Sequence, residues 1–271
     1  MGLEPAEGYV HGYSGREAER LLDQAETLEA LLHHDTSYPD GSRVLEAGCG
    51  IGAQTVTLAR RSPGARITSI DLSEASLARA AERARAAGVT NVTFRRADLY
   101  ALPFPDGAFD HVFVCFVLEH LPDPGLALSR LARVLRPGGT VTAIEGDHGS
   151  AFFHPDSQAA RKAISCLVAV QRGMGGNASV GRELHPLLTG AGFREVRVSP
   201  RTVYADASRP ELVEGFTRNT FTAMVEGVRE EALRRELIGR EEWEQGIRDL
   251  YRTSEAGGTF TYTFFKGTGL K

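Results

Sequence analysis

Cysteine, lysine and long apolar runs are all scarce in this chain of 271 residues. Its three cysteines, Cys49, Cys115 and Cys166, have spacings that fit neither a zinc site nor a disulfide framework, which favours reduced thiols. The longest apolar stretch, at 112–118, is far too short to cross a bilayer. The N-terminus also lacks the basic and then apolar pattern of a secretory signal. We therefore expect a cytoplasmic protein that has no membrane partner.

Positive charge is not concentrated anywhere in the sequence. Only Lys162, Lys266 and Lys271 are lysines among 31 basic residues, the net charge is -4, and no cluster of Lys and Arg stands out. A nucleic-acid-binding protein usually carries a basic face, so we expect no nucleic-acid partner. The length fits one large domain, or one domain with a small cap, and leaves a monomer and a homodimer equally open.

Strand and helix patterns alternate through the first half of the chain. Strands are predicted at 43–46, 66–70, 92–95, 110–117 and 140–145, with helices at 53–60, 73–87 and 125–135 between them. Such alternation predicts parallel strands joined by crossover helices in an open α/β sheet.

The remaining segments flank or interrupt this sheet. An amphipathic helix is predicted at 14–34, and strands at 194–203 and 259–266 enclose a helical stretch at 209–253 that we interpret as a cap. The expected divisions are an N-terminal helical lid (1–40), a core (41–150), a cap and substrate-selecting segment (151–258) and a closing strand (259–271).

A glycine-rich loop, E-A-G-C-G-I-G at 46–52, joins the first strand to the first core helix. Gly48, Gly50 and Gly52 let the backbone turn sharply and let a ligand approach closely. The N–H groups at the start of the next helix are free to bind such a ligand. The loop therefore predicts a nucleotide-like cofactor, although a tight turn without a ligand is the plainer alternative.

Acidic residues indicate which cofactor the loop holds. Asp71, at the end of the second strand, could accept both hydroxyls of a ribose, or could instead cap the following helix. Asp98, after the third strand, could accept a hydrogen bond from the amine of adenine. The loop spacing departs from the dinucleotide pattern G-x-G-x-x-G, and Glu46 would repel a pyrophosphate. An acid there suits a cationic ligand such as S-adenosylmethionine (SAM).

Five segments in order resemble the motifs of class I SAM-dependent methyltransferases. They are V-L-E-A-G-C-G-I-G (44–52), I-D-L-S (70–73), A-D-L (97–99), F-D-H-V-F-V-C-F-V-L-E-H-L-P-D-P (109–124) and L-R-P-G-G-T-V (135–141). The resemblance is strong over 40–147. It implies an α/β, Rossmann-like sheet of seven strands in the order 3-2-1-4-5-7-6, with the last strand antiparallel.

The same resemblance implies a SAM site and no metal. In it, the glycines approach the methionine moiety and Leu72 packs on adenine. The block at 11–25, through a narrower resemblance, implies that Arg20 pairs with the SAM carboxylate, unless Arg20 is simply a solvated charge. The expected cofactor residues are Tyr13, Arg20, Glu46, Gly48, Cys49, Gly50, Gly52, Gln54, Asp71, Leu72, Ser76, Asp98, Leu99 and Phe116.

The block H-G-Y-S-G-R-E-A-E-R-L-L-D-Q-A at 11–25 resembles a narrower, natural-product subgroup of these enzymes. That subgroup includes indole carbon-3 methyltransferases and small-molecule thiol methyltransferases. It implies a small, partly aromatic acceptor, most specifically an indole of a tryptophan-derived compound that is methylated at carbon 3. Thiol, nitrogen and oxygen acceptors remain alternatives, as do an NAD-type oxidoreductase and a protein that binds SAM without turnover.

Three places in the sequence could supply a base for a weakly nucleophilic acceptor. They are Tyr9, His11 and Tyr13; then the run 33–35; then Asp147 and His148, with His154 further along. Ligands of open α/β sheets lie beyond the carboxyl ends of the strands, which favours the third place. The expected catalytic residues are Tyr13, Glu119, His120, Asp147 and His148.

Aromatic residues of the cap could form an apolar acceptor pocket or the core of the cap itself. They are Phe152, Phe153, Phe216, Phe221, Trp243 and Tyr251.

Overall fold

A computed structural model describes residues 15–271 of the chain, with side chains from residue 20 onward. Seven strands form one sheet in the order β3-β2-β1-β4-β5-β7-β6. Strands β1 to β5 are parallel, whereas β7 runs antiparallel to both β5 and β6. The predicted fold is therefore confirmed. The strands are β1 (Arg43–Ala47), β2 (Arg66–Asp71), β3 (Val92–Arg96), β4 (Phe109–Cys115), β5 (Leu135–His154), β6 (Arg194–Ala205) and β7 (Thr259–Leu270).

Helices cover both faces of the sheet and fill the connection from β6 to β7. The α-helices are α1 (Gly15–His33), α2 (Thr55–Arg61), α3 (Glu74–Ala86), α4 (Pro124–Val134), α5 (Gln158–Gly173), α6 (Leu184–Gly190), α7 (Pro210–Leu212), α8 (Ala223–Gly227), α9 (Arg229–Arg234) and α10 (Arg240–Arg252). Two 3₁₀ turns, η1 (Leu118–His120) and η2 (Val180–Glu183), and a π-helix (Val213–Thr222) complete the described elements. No helix in residues 15–271 is both long enough and apolar enough to cross a membrane.

The core is divided by the sheet into two layers, because successive side chains of a strand point to opposite faces. On one face, Phe113 and Ile144 pack with residues of α1, α5 and the helices between β6 and β7. On the other face, Val112 and Val141 pack with residues of α4 and α6. The central strands β1 and β4 are buried on both faces, as is typical of a parallel sheet covered by helices.

Strand β5 is much longer than the predicted strand at 140–145. It runs to His154 because β7 continues to pair with it as far as the pair His154 and Thr259, with one register shift between Asp147 and Phe152. The expectation that Asp147, His148 and His154 follow the fifth strand was therefore wrong, since all three lie within it.

Among the helices between β6 and β7, α10 contributes Trp243 to the first of the two core layers. Its side chain is fully buried. Gly246 lets α10 approach α5 closely, because a Cβ at this position would lie 2.5 Å from the carbonyl oxygen of Ala159. The connection is thus bound firmly to the sheet domain through α5.

Replacing Trp243 by alanine should lower the free energy of unfolding by about 3–5 kcal/mol, because it opens a cavity between α10 and α5. Chemical denaturation monitored by circular dichroism measures this change. The matched variant Arg248→Ala alters an exposed residue of the same helix and should stay within about 0.5 kcal/mol of the wild type. Equal losses in both variants would contradict the buried contact.

Candidate functional site

The glycine loop needs its glycines for two physical reasons. Gly48, Gly50 and Gly52 have φ angles of 72°, 52° and 77°, in the left-handed region that side chains disfavour. A Cβ on Gly48 would also lie 2.6 Å from Val117, after β4, and one on Gly52 would lie 3.0 Å from Ala80 of α3. The loop therefore passes closely between the end of β4 and α3, at the carboxyl edge of the sheet.

Glu46 lies buried at the end of β1, directly before this loop. Its Oε2 accepts hydrogen bonds from the hydroxyls of Thr55, at 2.8 Å, and Ser69, at 2.5 Å. Burial raises the pKa of Glu46 to about 7. The acid is consequently only partly ionised at neutral pH, so its negative charge is complete only when a cation beside it favours ionisation.

Asp71 connects the end of β2 to the glycine loop. Its carboxylate accepts hydrogen bonds from the backbone N–H of Gly50 and of Ser73, each at 2.9 Å. The N-cap of α3 is Ser73, whose hydroxyl accepts a hydrogen bond from the N–H of Ser76. The alternative of Asp71 as the helix cap was therefore wrong.

Two neighbouring strand ends carry the residues predicted to meet adenine. Leu72 follows β2 and is 46% exposed, which is unusual for a large apolar side chain in this protein. Asp98 follows β3 and accepts a hydrogen bond from the N–H of Tyr100, while Leu99 packs against the second core layer. An apolar surface and an acceptor are thus exposed at adjacent strand ends.

Gln54, also predicted at the cofactor site, joins the loop to the end of α1. Its Oε1 lies 2.8 Å from Nε2 of His33. Burial lowers the pKa of His33 to about 4, so this ring is neutral and held inside the protein. Asp35, nearby, pairs with Lys266 and Arg201. The second candidate place for a base therefore consists of contacts that fix the end of α1.

A small cavity of about 40 Å³ lies beneath α1, and its lining includes Phe116, next to the Val117 side chain that lies against Gly48, but no residue of the glycine loop. It has room for about one water molecule, so a larger ligand requires its walls to separate. Four of its lining side chains are phenylalanines, and one end is polar. Its lining residues are Arg20, Leu21, Gln24, Phe116, Glu119, His120, Gly146, His148, Phe216, Thr220, Phe221, Met224, Tyr262 and Phe264.

The polar end is a chain of side chains centred on His148. Nδ1 of His148 lies 2.8 Å from the hydroxyl of Tyr262, and its Nε2 lies 3.8 Å from Oε2 of Glu119. Nε2 is buried and has no hydrogen-bond partner among the described residues. Glu119 also contacts His120, at 3.5 Å, and accepts a hydrogen bond from Gln171.

Burial controls the protonation of this chain. It lowers the pKa of His148, although Glu119 opposes the shift, and it raises the pKa of Tyr262 well above its usual range. Burial opposes ionisation of Glu119, but His120, His148 and Gln171 outweigh it and hold the pKa of this acid below its usual value. The polar end thus combines a carboxylate, a neutral imidazole and a phenol.

Several predicted residues lie elsewhere. Asp147 points away from His148, because neighbouring side chains of a strand alternate, and both of its oxygens bind Arg182 at 2.7 Å. The prediction that Asp147 is a catalytic residue beside His148 was therefore wrong. His154, Phe152, Phe153, Trp243 and Tyr251 do not line the cavity either. Tyr13, with Tyr9 and His11, lies outside the described residues.

Tyr262 and Phe264 are site residues that the sequence reasoning missed. They alternate with threonines in β7, so a search for one apolar face in 259–266 would have placed them together. Phe116 was predicted, but its left-handed backbone, with φ of 57°, was not. Such strain in a side-chain-bearing residue is typical of functional sites.

The close approach at Gly48 can be tested without a ligand. Gly48→Ala and Gly88→Ala both place a Cβ at a positive φ, but only the first brings it against another side chain. We expect Gly88→Ala to cost about 1–2 kcal/mol of stability from backbone strain alone, and Gly48→Ala to cost more. Urea denaturation of the two variants gives the comparison, and equal losses would contradict the contact with Val117.

Comparison with known proteins agrees with these features. Residues 45–143 match the family model described as a methyltransferase domain. A protein in transposon TN4556 of Streptomyces fradiae is 34% identical over 76% of this chain, which spans 61% of that protein. The 27-O-demethylrifamycin SV methyltransferase of Amycolatopsis mediterranei is 31% identical, over 84% of this chain and 78% of its own length.

Solved structures share the fold at low sequence identity. Phosphoethanolamine N-methyltransferase 2 of Haemonchus contortus, solved with S-adenosyl-L-methionine, has a TM-score of 0.55 and 18% identity, covering 92% of this chain and 52% of that chain. The YcgJ protein of Bacillus subtilis has a TM-score of 0.56 and 15% identity, covering 91% of this chain and 98% of that one. With the glycine loop and the matched relatives, these findings show that the chain belongs to the class I SAM-dependent methyltransferases, and its cofactor is SAM.

Proposed function

We propose that this methyltransferase acts on a small organic acceptor from which His148 removes a proton. The observation that carries the proposal is the buried Nε2 of His148, which has no hydrogen-bond partner among the described residues and lies in an aromatic cavity at the carboxyl edge of the sheet. A base in this place suits an acceptor whose nucleophilic atom is weak until it loses a proton, such as a hydroxyl or the ring system of an indole.

The residues present fit SAM. A Cβ built on Gly50 would meet no protein atom within 4 Å, so a ligand can approach the loop at this glycine, and the exposed Leu72 offers an apolar contact for adenine. Asp71 offers a carboxylate for ribose hydroxyls, and Arg20, in the cavity wall, offers a cation for a carboxylate. When bound, SAM supplies an electrophilic methyl group on its sulfonium. We propose the predicted cofactor residues of the described chain as this site.

His148 would accept the proton, and Tyr262 and Glu119 would support it. His148 is neutral because burial lowers its pKa, so Nε2 can accept a proton. The hydroxyl of Tyr262 forms a hydrogen bond with Nδ1 and thereby fixes the orientation of the ring. Glu119 is an ionised carboxylate 3.8 Å away, and it would stabilise the imidazolium that results. His120 would hold Glu119 in place.

The cavity walls favour a flat acceptor. Phe116, Phe216, Phe221 and Phe264 surround it, and aromatic faces bind planar rings well. Our specific proposal is carbon-3 methylation of an indole in a tryptophan-derived compound, with the base taking or polarising the ring N–H proton. The relative named for 27-O-demethylrifamycin SV supports a second candidate, a hydroxyl of a natural product. We assign acceptor selection to residues 151–258 and the role of lid to residues 1–40.

The acceptor can be found by incubating the protein with methyl-labelled SAM and a library of indoles, hydroxylated natural products and thiols. Replacing His148 by glutamine should lower kcat by about 10²–10⁴-fold, because it removes the base. Affinity for S-adenosylhomocysteine, measured by calorimetry, should not change. His185→Gln, at an exposed site outside the cavity, is the control. Label transfer to nothing in a broad library would favour a protein that binds SAM without turnover.

The pH dependence of the rate gives a separate test. His148 works as a base only when it is neutral, and burial places its pKa below the usual value of 6.5. We therefore expect kcat to stay high at pH 6.5 and to fall only as the pH drops below the lowered pKa. A rate that already halves above pH 6.5 would argue against His148 as the base.

A further inference from the structure

Glu145 is a fully buried acid of β5 that the proposed reaction does not use. Its Oε1 accepts hydrogen bonds from the backbone N–H of Val117, at 3.1 Å, and of Leu118, at 2.9 Å. Its Oε2 is buried and has no hydrogen-bond partner among the described residues. One side chain of β5 therefore binds the backbone that follows the neighbouring strand β4.

These two N–H groups open the turn η1, whose residues 118–120 carry Glu119 and His120 into the cavity. The first N–H groups of a helical turn have no partner within the turn and must find one elsewhere. Directly before them, Phe116 donates its N–H to the carbonyl of Ile144 in its left-handed conformation. Two successive residues of β5 thus fix both the strained Phe116 and the start of η1.

The protonation state of Glu145 explains why this acid can lie so close to Glu119. Burial, together with the nearby charge of Glu119, raises the pKa of Glu145 to about 8. Two carboxylates close together in a buried site do not both ionise readily. At neutral pH Glu145 is therefore mainly a neutral carboxyl, which accepts the backbone hydrogen bonds without adding a second negative charge beside Glu119.

We propose that Glu145 is a positioning residue that holds η1 so that the Glu119 carboxylate stays beside His148. The effect of Glu145 on catalysis rests on the proposed function of His148. The positioning of Glu119 by Glu145 does not depend on that function. A glutamine has the same length and can accept the same two hydrogen bonds. An aspartate keeps the acid but is shorter by one methylene group, so it cannot reach both N–H groups.

The test compares Glu145→Gln and Glu145→Asp, with Thr142→Ser as a control at another buried polar position of β5. Histidine-labelled protein loaded with S-adenosylhomocysteine is titrated by NMR, and the His148 signal is assigned from its loss in His148→Gln. The charged and titratable groups that face His148 are Glu119, His120, Arg20 and Tyr262, and Asp147, whose side chain points away to Arg182, acts on it only through its charge.

We expect the His148 midpoint to fall in Glu145→Asp, because Glu119 moves away and no longer favours the imidazolium. The midpoint should be unchanged in Glu145→Gln and in the control. On any acceptor that is methylated, Glu145→Asp should also lower kcat by about tenfold or more, since misplacement by about 1 Å is costly. The KM for SAM should change less than kcat.

An unchanged midpoint in Glu145→Asp would overturn the proposal, and so would equal shifts in the Asp and Gln variants. If the Asp variant does not fold, the test becomes the hydrogen-exchange protection of the Leu118 amide in Glu145→Gln. Retained protection supports the role and lost protection refutes it. Failure to methylate any acceptor would count against the proposed function while leaving the NMR result intact.

Discussion

The polar end of the cavity depends on the antiparallel pairing of β5 with β7 beyond the edge of the parallel sheet. This pairing extends β5 to His154 and brings Tyr262 against His148, although 114 residues separate them in the sequence. Gly146 is part of the same arrangement, because a side chain there would occupy the position of the Tyr262 hydroxyl. Without the extension, His148 would have no partner to orient its ring.

The three acids at this edge of the sheet are kept in different protonation states by their surroundings. Burial raises the pKa of both Glu46 and Glu145, to about 7 and about 8, whereas the surroundings of Glu119, among them His120, Gln171 and Arg20, hold its pKa below the usual value. Full ionisation of all three would concentrate negative charge in a site with little water to screen it. A cation at the glycine loop would favour ionisation of Glu46, so binding there and the charge of this acid should reinforce each other.

The glycine loop could be located from the sequence more readily than the residues of the cavity, for a physical reason. Turn chemistry is local, so the glycine loop and Asp71 could be located from spacing alone. Asp147 was misplaced because the direction of its side chain depends on whether β5 continues past residue 145. The length of β5 is set by its pairing with β7, which is distant in the sequence. Glu145 gave no signal, because an acid at a strand end is ordinary until the backbone of η1 is found beside it.

The small size of the cavity points to the element that must move for an acceptor to enter. The end of α1 is fixed by the contacts of His33 with Gln54 and of Asp35 with Lys266. Phe216 and Phe221 form part of the opposite wall, and both lie on the π-helix at 213–222. π-Helical segments are rare, have less regular hydrogen bonding than α-helices, and often occur at functional sites. A shift of this segment would widen the cavity between its two phenylalanines and His148 without breaking the sheet, whereas movement of the anchored end of α1 would break buried polar contacts.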